Sequence, residues 1–358
     1  MIDADAFAVL LADWCLEVQP NQQILIQTTT LAQEPAAALH RAVLERGAWP
    51  LLRLDPAGLD AGFYRHARGD QLDQVAPIQL AEIGAADASV RIEAPADRRA
   101  LAAIEPSLLA RRARALNALR RARAERRWAV SIWPTPALAQ RAGMSDSQYA
   151  GFLSGAFLLD QPDPVAAWRA LSNRQQLIVD RLADAREVHI ESAHTDLRLS
   201  VAGRCWINSD GRRNMPSGEV FTSPLESSAN GTIHFDVPSM SRGAEVSGVD
   251  LKFVDGVVVA AHAAVGDEQL QAALATDAGA RRLGELGIGT NTGIDRATGS
   301  TLLDEKIAGT IHLALGSSYR EAGGLNESAL HWDLICDLRK GGRLTVDREL
   351  FILDGAVL

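Results

Sequence analysis

The first half of the chain alternates short runs rich in β-branched residues with longer Ala, Leu and Arg segments that have helical spacing. Strands joined through helices run parallel when they share a sheet, so this alternation predicts an α/β layer. The strand candidates are residues 23–29, 50–54, 89–92 and 129–133. The helix candidates are residues 34–46, 107–127 and 165–183.

The longest of these predicted helices, 107–127, carries its leucines on one stripe and eight arginines elsewhere. A basic helix of this kind can bind nucleic acid, but no aromatic platform is interleaved with the arginines. The whole chain has 36 Lys plus Arg against 45 Asp plus Glu, for a net charge of −9. An acidic protein is repelled by long polyanions, so we interpret the helix as a solvated surface and predict no nucleic-acid partner.

The pattern of predicted secondary structure changes near Arg186. Beyond this residue, segments typical of strands and tight turns dominate. Because 358 residues exceed the size at which one hydrophobic core stops growing, we predict two domains. The first is an α/β domain over 1–185, and the second is an α+β domain over 186–358 that is rich in antiparallel strands. Asp-Gly pairs predict hairpin turns at 255–256 and 354–355.

Cysteine content and the amino terminus bear on the compartment. The three cysteines, Cys15, Cys205 and Cys336, show no CxxC spacing, so neither a disulfide framework nor a cysteine-based zinc ribbon is expected. The first residues are acidic rather than basic, and no apolar run approaches the roughly 18 residues of a membrane span. These features predict a cytoplasmic protein without a membrane partner.

Ligand-type residues concentrate in the second domain, where six of the eight histidines follow residue 188. Three segments there combine a side chain that can ligate metal with Gly neighbours: 214–219, 283–289 and 309–316. A fourth segment, 331–333, is an HxD triplet. Residues two apart in a strand share a face, so His331 and Asp333 can ligate one ion. Taken singly, each has a plainer interpretation, such as a hydrogen-bonded His/Asp pair, a core histidine at 312, a loop end at Glu219 or a solvated Glu285.

Three common enzyme signatures are missing from the sequence. The glycines of 284–289 lack the GxGxxG order, and Glu285 among them would repel a pyrophosphate. GxSxG and HExxH are absent, which argues against an α/β-hydrolase serine nucleophile and a zincin.

The segment 210–224, which contains Asn-Met-Pro-Ser-Gly-Glu, resembles the signature of the M29 aminopeptidases, the thermophilic aminopeptidase family. The similarity continues through 283–285, 304–306, 309–316 and 326–333, and it covers about residues 186–358. The resemblance implies a thermophilic aminopeptidase-like two-domain fold and a cytoplasmic metallo-exopeptidase, usually a homodimer. Its substrates would be peptides with a free amino terminus.

The same resemblance implies two divalent metal ions per chain, Zn, Co or Mn, in the second domain. The positions that match the family's ligands are Glu219, Glu285, His312, Tyr319, His331 and Asp333. Glu305 matches a further acidic position near the site, and either Glu305 or Glu219 is the candidate general base. Tyr319 is a ligand or a hydrogen-bond donor to the developing oxyanion.

Two alternatives differ from the peptidase in chemistry. Iron-dependent dioxygenases that open hydroxylated pyridine rings resemble this fold, keep the HxD pair and use one Fe(II) held by two His and one carboxylate. In the resemblance as we interpret it, they lack carboxylates at the positions of Glu219 and Glu285, so their presence here favours hydrolysis. The second alternative is a non-catalytic metal-binding relative.

Overall fold

The described chain, residues 2–97, 100–241 and 244–358 of a computed structural model, divides into two units. Unit 1 comprises residues 1–168 and 211–216, and unit 2 comprises residues 169–210 and 217–358. The division falls inside a long helix, and the short segment 211–216 returns to unit 1. A domain boundary near residue 186 stays a prediction.

Helices and strands are numbered separately, each in order along the chain. The helices are α1 (Ala4–Leu10), α2 (Gln33–Glu45), α3 (Leu59–His66), α4 (Gly69–Asp73), α5 (Pro77–Ala85), α6 (Pro106–Ala115), α7 (Asn117–Ala124), α8 (Pro136–Arg141), α9 (Asp146–Ala156), α10 (Pro164–Leu182), α11 (Asp267–Leu274) and α12 (Thr301–Asp304). The strands are β1 (Gln23–Thr29), β2 (Trp49–Asp55), β3 (Ala88–Glu93), β4 (Arg127–Ile132), β5 (Glu187–Ser192), β6 (Thr195–Ser200), β7 (Ile207–Ser209), β8 (Asn214–Met215), β9 (Glu219–Thr222), β10 (Asn230–Phe235), β11 (Ser239–Ser241), β12 (Ala244–Val254), β13 (Val257–Val265), β14 (Leu283–Gly289), β15 (Thr310–Gly316), β16 (His331–Asp337), β17 (Arg343–Val346), β18 (Glu349–Leu353) and β19 (Ala356–Val357).

Unit 1 is built on a parallel sheet, sheet A, with strand order β2-β1-β3-β4-β8. Helices lie between its first four strands along the chain, which is the arrangement that the alternating sequence predicts. The apolar stripe expected on α2 is buried, with Leu39 and Val43 both fully covered. No described helix combines the length and apolar character that a membrane span requires.

The predicted helix over 107–127 was wrong as a single element, because two helices, α6 and α7, occupy this stretch. Between them Leu116 has a ψ of −10°, well away from the helical value of about −42°. Asn117, a weak helix former, begins the second piece. Neither the helical period nor the leucine stripe reveals such a local break. None of the α7 residues is buried, in keeping with a solvated surface.

Unit 2 consists of two antiparallel sheets that share one hydrophobic core. Among the described residues, sheet B has the order β11-β12-β10-β6-β5-β17-β18-β19 with β13 beside β12, and sheet C has the order β16-β15-β14-β9-β7. Ile190 and Phe235 of sheet B and Leu313 of sheet C belong to the same buried cluster. The α+β character predicted for the second half is confirmed.

Both predicted Asp-Gly turns join antiparallel strands. Asp255 and Gly256 have φ values of 48° and 77° between β12 and β13. Asp354 and Gly355 have φ values of 47° and 77° between β18 and β19. Two successive left-handed residues define the type I′ turn, whose twist matches that of the flanking strands.

Candidate metal centre

Sheet C carries apolar side chains on one face and ligand-type side chains on the other. On β15, Ile311 and Leu313 join the core of unit 2, and His312 between them occupies the opposite face because side chains alternate along a strand. Three other strands of the sheet contribute side chains to the same face. These are Glu219 on β9, Glu285 on β14, and His331 and Asp333 on β16. Four adjacent strands therefore each contribute to one polar cluster.

The cluster is close enough for its members to ligate shared ions. Within the described residues, three overlapping groups each offer ligand atoms that all lie within 4.8 Å of one another. The groups are Glu219 with Glu285 and His312, Glu285 with His331 and Asp333, and Glu305 with His312 and Asp333. His312 Nε2 lies 3.4 Å from Glu219 Oε2 and 3.5 Å from Glu285 Oε1. His331 Nε2 lies 3.4 Å from Glu285 Oε2, so Glu285 faces both histidines.

Glycine and alanine on the neighbouring strands make room for these side chains. Gly287 pairs with His312 across β14 and β15, and Ala314 pairs with Asp333 across β15 and β16. A Cβ atom on Gly287 would lie 2.0 Å from the His312 ring. The imidazole therefore rests directly on the backbone of Gly287, and no other residue fits there without moving it.

The loop before β9 holds Glu219 in place through its backbone. Gly218 has a φ of +115°, and a Cβ atom there would lie 2.7 Å from Asn291 Cβ. The Asn291 side-chain amide donates to the Ser217 carbonyl at 2.8 Å. The buried Gln175 side chain donates to the Glu219 carbonyl at 2.5 Å. These contacts anchor the strand start from which the Glu219 carboxylate projects.

The charges of the cluster depend on one another. Burial opposes ionisation of Glu285, but its interactions with His312 and His331 outweigh burial and lower its pKa to about 2. Burial likewise disfavours charged histidine, yet the surrounding carboxylates raise the pKa of His312 to about 9 and that of His331 to about 10. Without a bound cation, protons on the histidines supply the positive charge that the carboxylates require.

Glu305 and Lys306 complete the polar cluster from the segment after α12. Lys306 is fully buried, and its Nζ lies 2.5 Å from Glu219 Oε1 and contacts Glu305 Oε1. Burial is the largest influence on Glu305; together with the Glu219 and Asp333 charges it outweighs Lys306 and raises the pKa to about 8. Glu305 is thus a carboxyl group that can hold a proton near neutral pH, which the sequence alone does not show.

Tyr319 lies beside the cluster. Its ring centroid is 5.3 Å from that of His331 and 5.1 Å from that of Phe221. Tyr319 is 40% exposed, and the partial burial of its phenol, followed by the carboxylates of Glu285 and Asp333, raises its pKa. The phenol therefore stays protonated and able to donate a hydrogen bond. Tyr319 thus lies next to His331, another position that matches the family's ligands. Its role as ligand or hydrogen-bond donor stays a prediction.

The residues fit a site for hard or borderline divalent cations. Glu219 Oε2, Asp333 Oδ1 and both ring nitrogens of His312 are buried without a hydrogen-bond partner. Buried polar atoms are rarely left unpaired, and bound cations would pair with the carboxylate oxygens and with Nε2 of His312, the ring nitrogen that faces Glu219 and Glu285, once the proton on Nε2 leaves. His331 Nδ1 contacts the Ser317 carbonyl at 2.8 Å, which leaves Nε2 for the cluster. A set of carboxylates and imidazoles suits divalent transition-metal ions, and their identity as Zn, Co or Mn stays a prediction.

All seven residues named from the sequence lie in or beside this cluster, although their roles stay predictions. Three contributors were missed: Lys306, Gln175 and Gly287. Lysine was a usable signal, because the chain has only three lysines and relies on arginine for its other basic side chains. Gln175 and Gly287 act through contacts with residues distant in sequence, which no local pattern reports.

Comparison with known proteins extends the resemblance beyond the second half. A family model described as thermophilic metalloprotease (M29) matches residues 3–355. Aminopeptidase 2 from Geobacillus stearothermophilus is 29% identical over 381 aligned residues, which cover 93% of this chain and 91% of that protein. The amino-terminal half, which lies outside the motifs that carry the resemblance, therefore falls within the same family match.

Two solved structures share the fold over nearly the whole chain. Wild-type AmpT from Thermus thermophilus superposes with a TM-score of 0.85 at 23% identity, covering 99% of this chain and 98% of the other. A 2,5-dihydroxypyridine dioxygenase from Pseudomonas putida KT2440 superposes with a TM-score of 0.60 at 17% identity, covering 99% and 96%. The predicted thermophilic aminopeptidase-like fold is confirmed, and one fold accommodates both chemistries weighed from the sequence.

Proposed function

The chain belongs to the thermophilic metalloprotease family M29 and is a metallo-exopeptidase, and from this premise we propose that it removes amino-terminal residues from peptides at a dinuclear metal centre. One observation supports two ions rather than one: Glu285 belongs both to the group with Glu219 and His312 and to the group with His331 and Asp333. A carboxylate shared between two ligand groups could contribute one oxygen to each of two cations.

In this proposal the two ligand groups that contain Glu285 would each hold one ion. Glu219 and His312 would hold one ion, His331 and Asp333 would hold the other, and Glu285 would contribute to both. Divalent cations held there would lower the pKa of a bound water toward neutrality and would polarise the scissile carbonyl. The protein's own part is to hold the ligand residues on four adjacent strands of one sheet.

Proton transfer falls to Glu305 in this proposal. Its carboxyl group lies beside the ligand residues His312 and Asp333, where it can accept a proton from the attacking water and return it to the leaving amine. Glu219 is the other candidate base. Lys306 contacts Oε1 of both carboxylates, but the second oxygen of Glu219, Oε2, faces His312 and is proposed to ligate a cation. We therefore favour Glu305.

Two further contacts with substrate complete the proposal. The protonated Tyr319 hydroxyl donates a hydrogen bond to the developing oxyanion, a contact of the kind that often supplies a large catalytic contribution. The free amine of the substrate, as an ammonium or a metal-bound amine, is anchored at the carboxylate-rich cluster. That anchor restricts cleavage to the first residue.

The test combines metal analysis with a matched pair of substrates. Wild-type protein should bind close to two ions per chain, hydrolyse an aminoacyl-arylamide, and leave its N-acetylated counterpart uncut. Glu285→Ala should lose at least one ion and reduce peptidase activity to background, because the bridging carboxylate neutralises both cations. Glu268→Ala, an exposed carboxylate on α11, serves as the control.

Three outcomes would contradict this function. Undiminished hydrolysis by protein shown to be free of metal would exclude the metal-activated water. Equal rates on free and acetylated substrates would indicate an endopeptidase. A wild type that holds one iron and consumes oxygen with a dihydroxypyridine, and keeps both properties in Glu285→Ala, would support the ring-cleaving alternative.

The homodimer and the cytosolic location implied by the resemblance belong to this proposal as well. Sedimentation equilibrium tests the dimer, and fractionation of the source cells tests the location. A monomer at micromolar concentration would contradict the first.

A further inference from the structure

Lys306 is a buried cation inside a cluster of carboxylates, and the proposed mechanism gives it no role. Its side chain is 1% exposed, and its Nζ contacts Oε1 of Glu219 at 2.5 Å and Oε1 of Glu305. One ammonium therefore joins the residue proposed as ligand to the residue proposed as base.

The two carboxylate oxygens of Glu219 have different surroundings because Lys306 contacts only one of them. Oε1 is bound to Lys306, whereas Oε2 is buried, has no hydrogen-bond partner and lies 3.4 Å from His312 Nε2. A carboxylate can ligate a cation with one oxygen or with both. With Oε1 held by the ammonium, only Oε2 is available to a cation beside His312.

The same contact determines the position of Glu305. Glu305, His312 and Asp333 form a ligand group of their own, so an unrestrained Glu305 could compete for an ion. Its side chain is 13% exposed, whereas that of Glu219 is 6% exposed. Glu305 is thus the carboxylate of the pair that water reaches more readily, and Lys306 ties one of its oxygens beside the cluster.

We propose that Lys306 is a positioning residue that restricts Glu219 to a single ligating oxygen, Oε2, and keeps Glu305 beside the metal centre as the proton acceptor. The inference rests on the proposed metal centre and adds to it the denticity of one ligand. A lysine suits this task because a compact ammonium contacts one oxygen of each of two carboxylates, whereas a guanidinium favours both oxygens of one.

A purely structural ion pair is the competing explanation, and ligand geometry distinguishes the two. The test uses Co²⁺ as the probe in Lys306→Met, a substitution of similar length, with Lys252→Met on the exposed surface of β12 as the matched control. The visible absorption of protein-bound Co²⁺ weakens as the number of ligands rises. We expect two ions in all three proteins and a several-fold weaker band in Lys306→Met alone, because both oxygens of Glu219 become free to ligate.

Steady-state kinetics provide a second readout in the same variants. We expect kcat of Lys306→Met to fall by about 10- to 100-fold, the range seen when groups that orient ligands are removed, with little change in KM. The Lys252→Met protein should match the wild type. A cobalt spectrum of Lys306→Met that equals the wild-type spectrum at equal metal content would overturn the inference and leave the proposed function standing.

Other results remain decisive. A wild type that binds no cobalt would overturn the proposed function and this inference together. If Lys306→Met does not fold, a crystal structure of the zinc-loaded wild type answers the same question. Glu219 bound through Oε2 alone, with Oε1 on Lys306, would support the inference. Both oxygens on the metal, or Lys306 displaced from Glu219, would overturn it.

Discussion

Two strands of equal length, β15 in unit 2 and β2 in unit 1, have very different surroundings. Every one of the seven residues of β15 is buried, including His312. None of the seven residues of β2 is buried: Trp49 is 62% exposed and Leu51 is 52% exposed. Both strands nevertheless consist mostly of apolar residues.

The difference follows from the place of each strand in its sheet. β15 lies between β14 and β16, whereas β2 is the edge strand of sheet A and pairs only with β1. A central strand is covered by its neighbours and by the layers on its faces, and an edge strand is not. Burial opposes the charged form of His312, and the carboxylates of the neighbouring strands raise its pKa against that effect. A histidine in β2, an edge strand with exposed residues, would lack such surroundings.

The largest effect is expected where β14 supports the buried histidine. Gly287→Ala would place a Cβ atom within about 2 Å of the His312 ring and must displace it. We expect metal affinity and peptidase activity to fall by at least about 100-fold, the upper end of the range for disturbed ligands. Gly62→Ala on α3 is the matched control, because nothing lies within 4 Å of a Cβ atom there. Isothermal titration with Zn²⁺ measures the difference, and equal affinities would show that the site tolerates the shift.

A smaller effect tests the comparison of strands itself. Leu313→Ala on β15 removes a fully buried side chain, and we expect it to lower the free energy of unfolding by about 2–5 kcal/mol. Leu51→Ala on β2 removes a half-exposed side chain and should change stability by no more than about 0.5 kcal/mol. Urea unfolding of the two variants supplies the measurement. Similar losses would mean that β2 is covered in solution.

The smallest effect concerns thiol chemistry. Cys336 on β16 is buried, and burial together with the charge of Asp236 raises its pKa to about 12. Because the thiolate is the reactive form, Cys336 should stay unmodified by iodoacetamide up to about pH 10, while the exposed Cys205 reacts. Mass spectrometry of native protein should find one fast thiol among three cysteines. Rapid labelling of Cys336 would show that β16 opens readily.

Local patterns were sufficient for much of the fold. The strand expected at residues 23–29 coincides with β1, and the hairpin turn at Asp255 and Gly256 lies where the Asp-Gly pair predicts it. These features depend on the alternation of side chains and on the φ values that a few residue types tolerate. Both are properties of neighbouring residues, so they can be inferred from the sequence.

Other features required the assembled chain. The break at Leu116 has no counterpart in the helical period, and the cluster of Glu219, Glu285 and His312 joins three strands that lie far apart in sequence. Lys306 illustrates the limit best, because the resemblance of segment 304–306 to the family does not show what the lysine side chain contacts. Its burial between Glu219 and Glu305 is fixed by the packing of unit 2.

The residue types of the site were thus determined by the sequence, and their chemistry was decided by the tertiary structure. The sequence motifs specify which residues carry carboxylates and imidazoles, independently of how the chain folds. Ligand distances, unpaired buried atoms and shifted pKa values arise only when four strands of one sheet place those groups together and exclude water. The physical reason is that desolvation and charge interactions act between neighbours in space, and those neighbours are chosen by strand pairing.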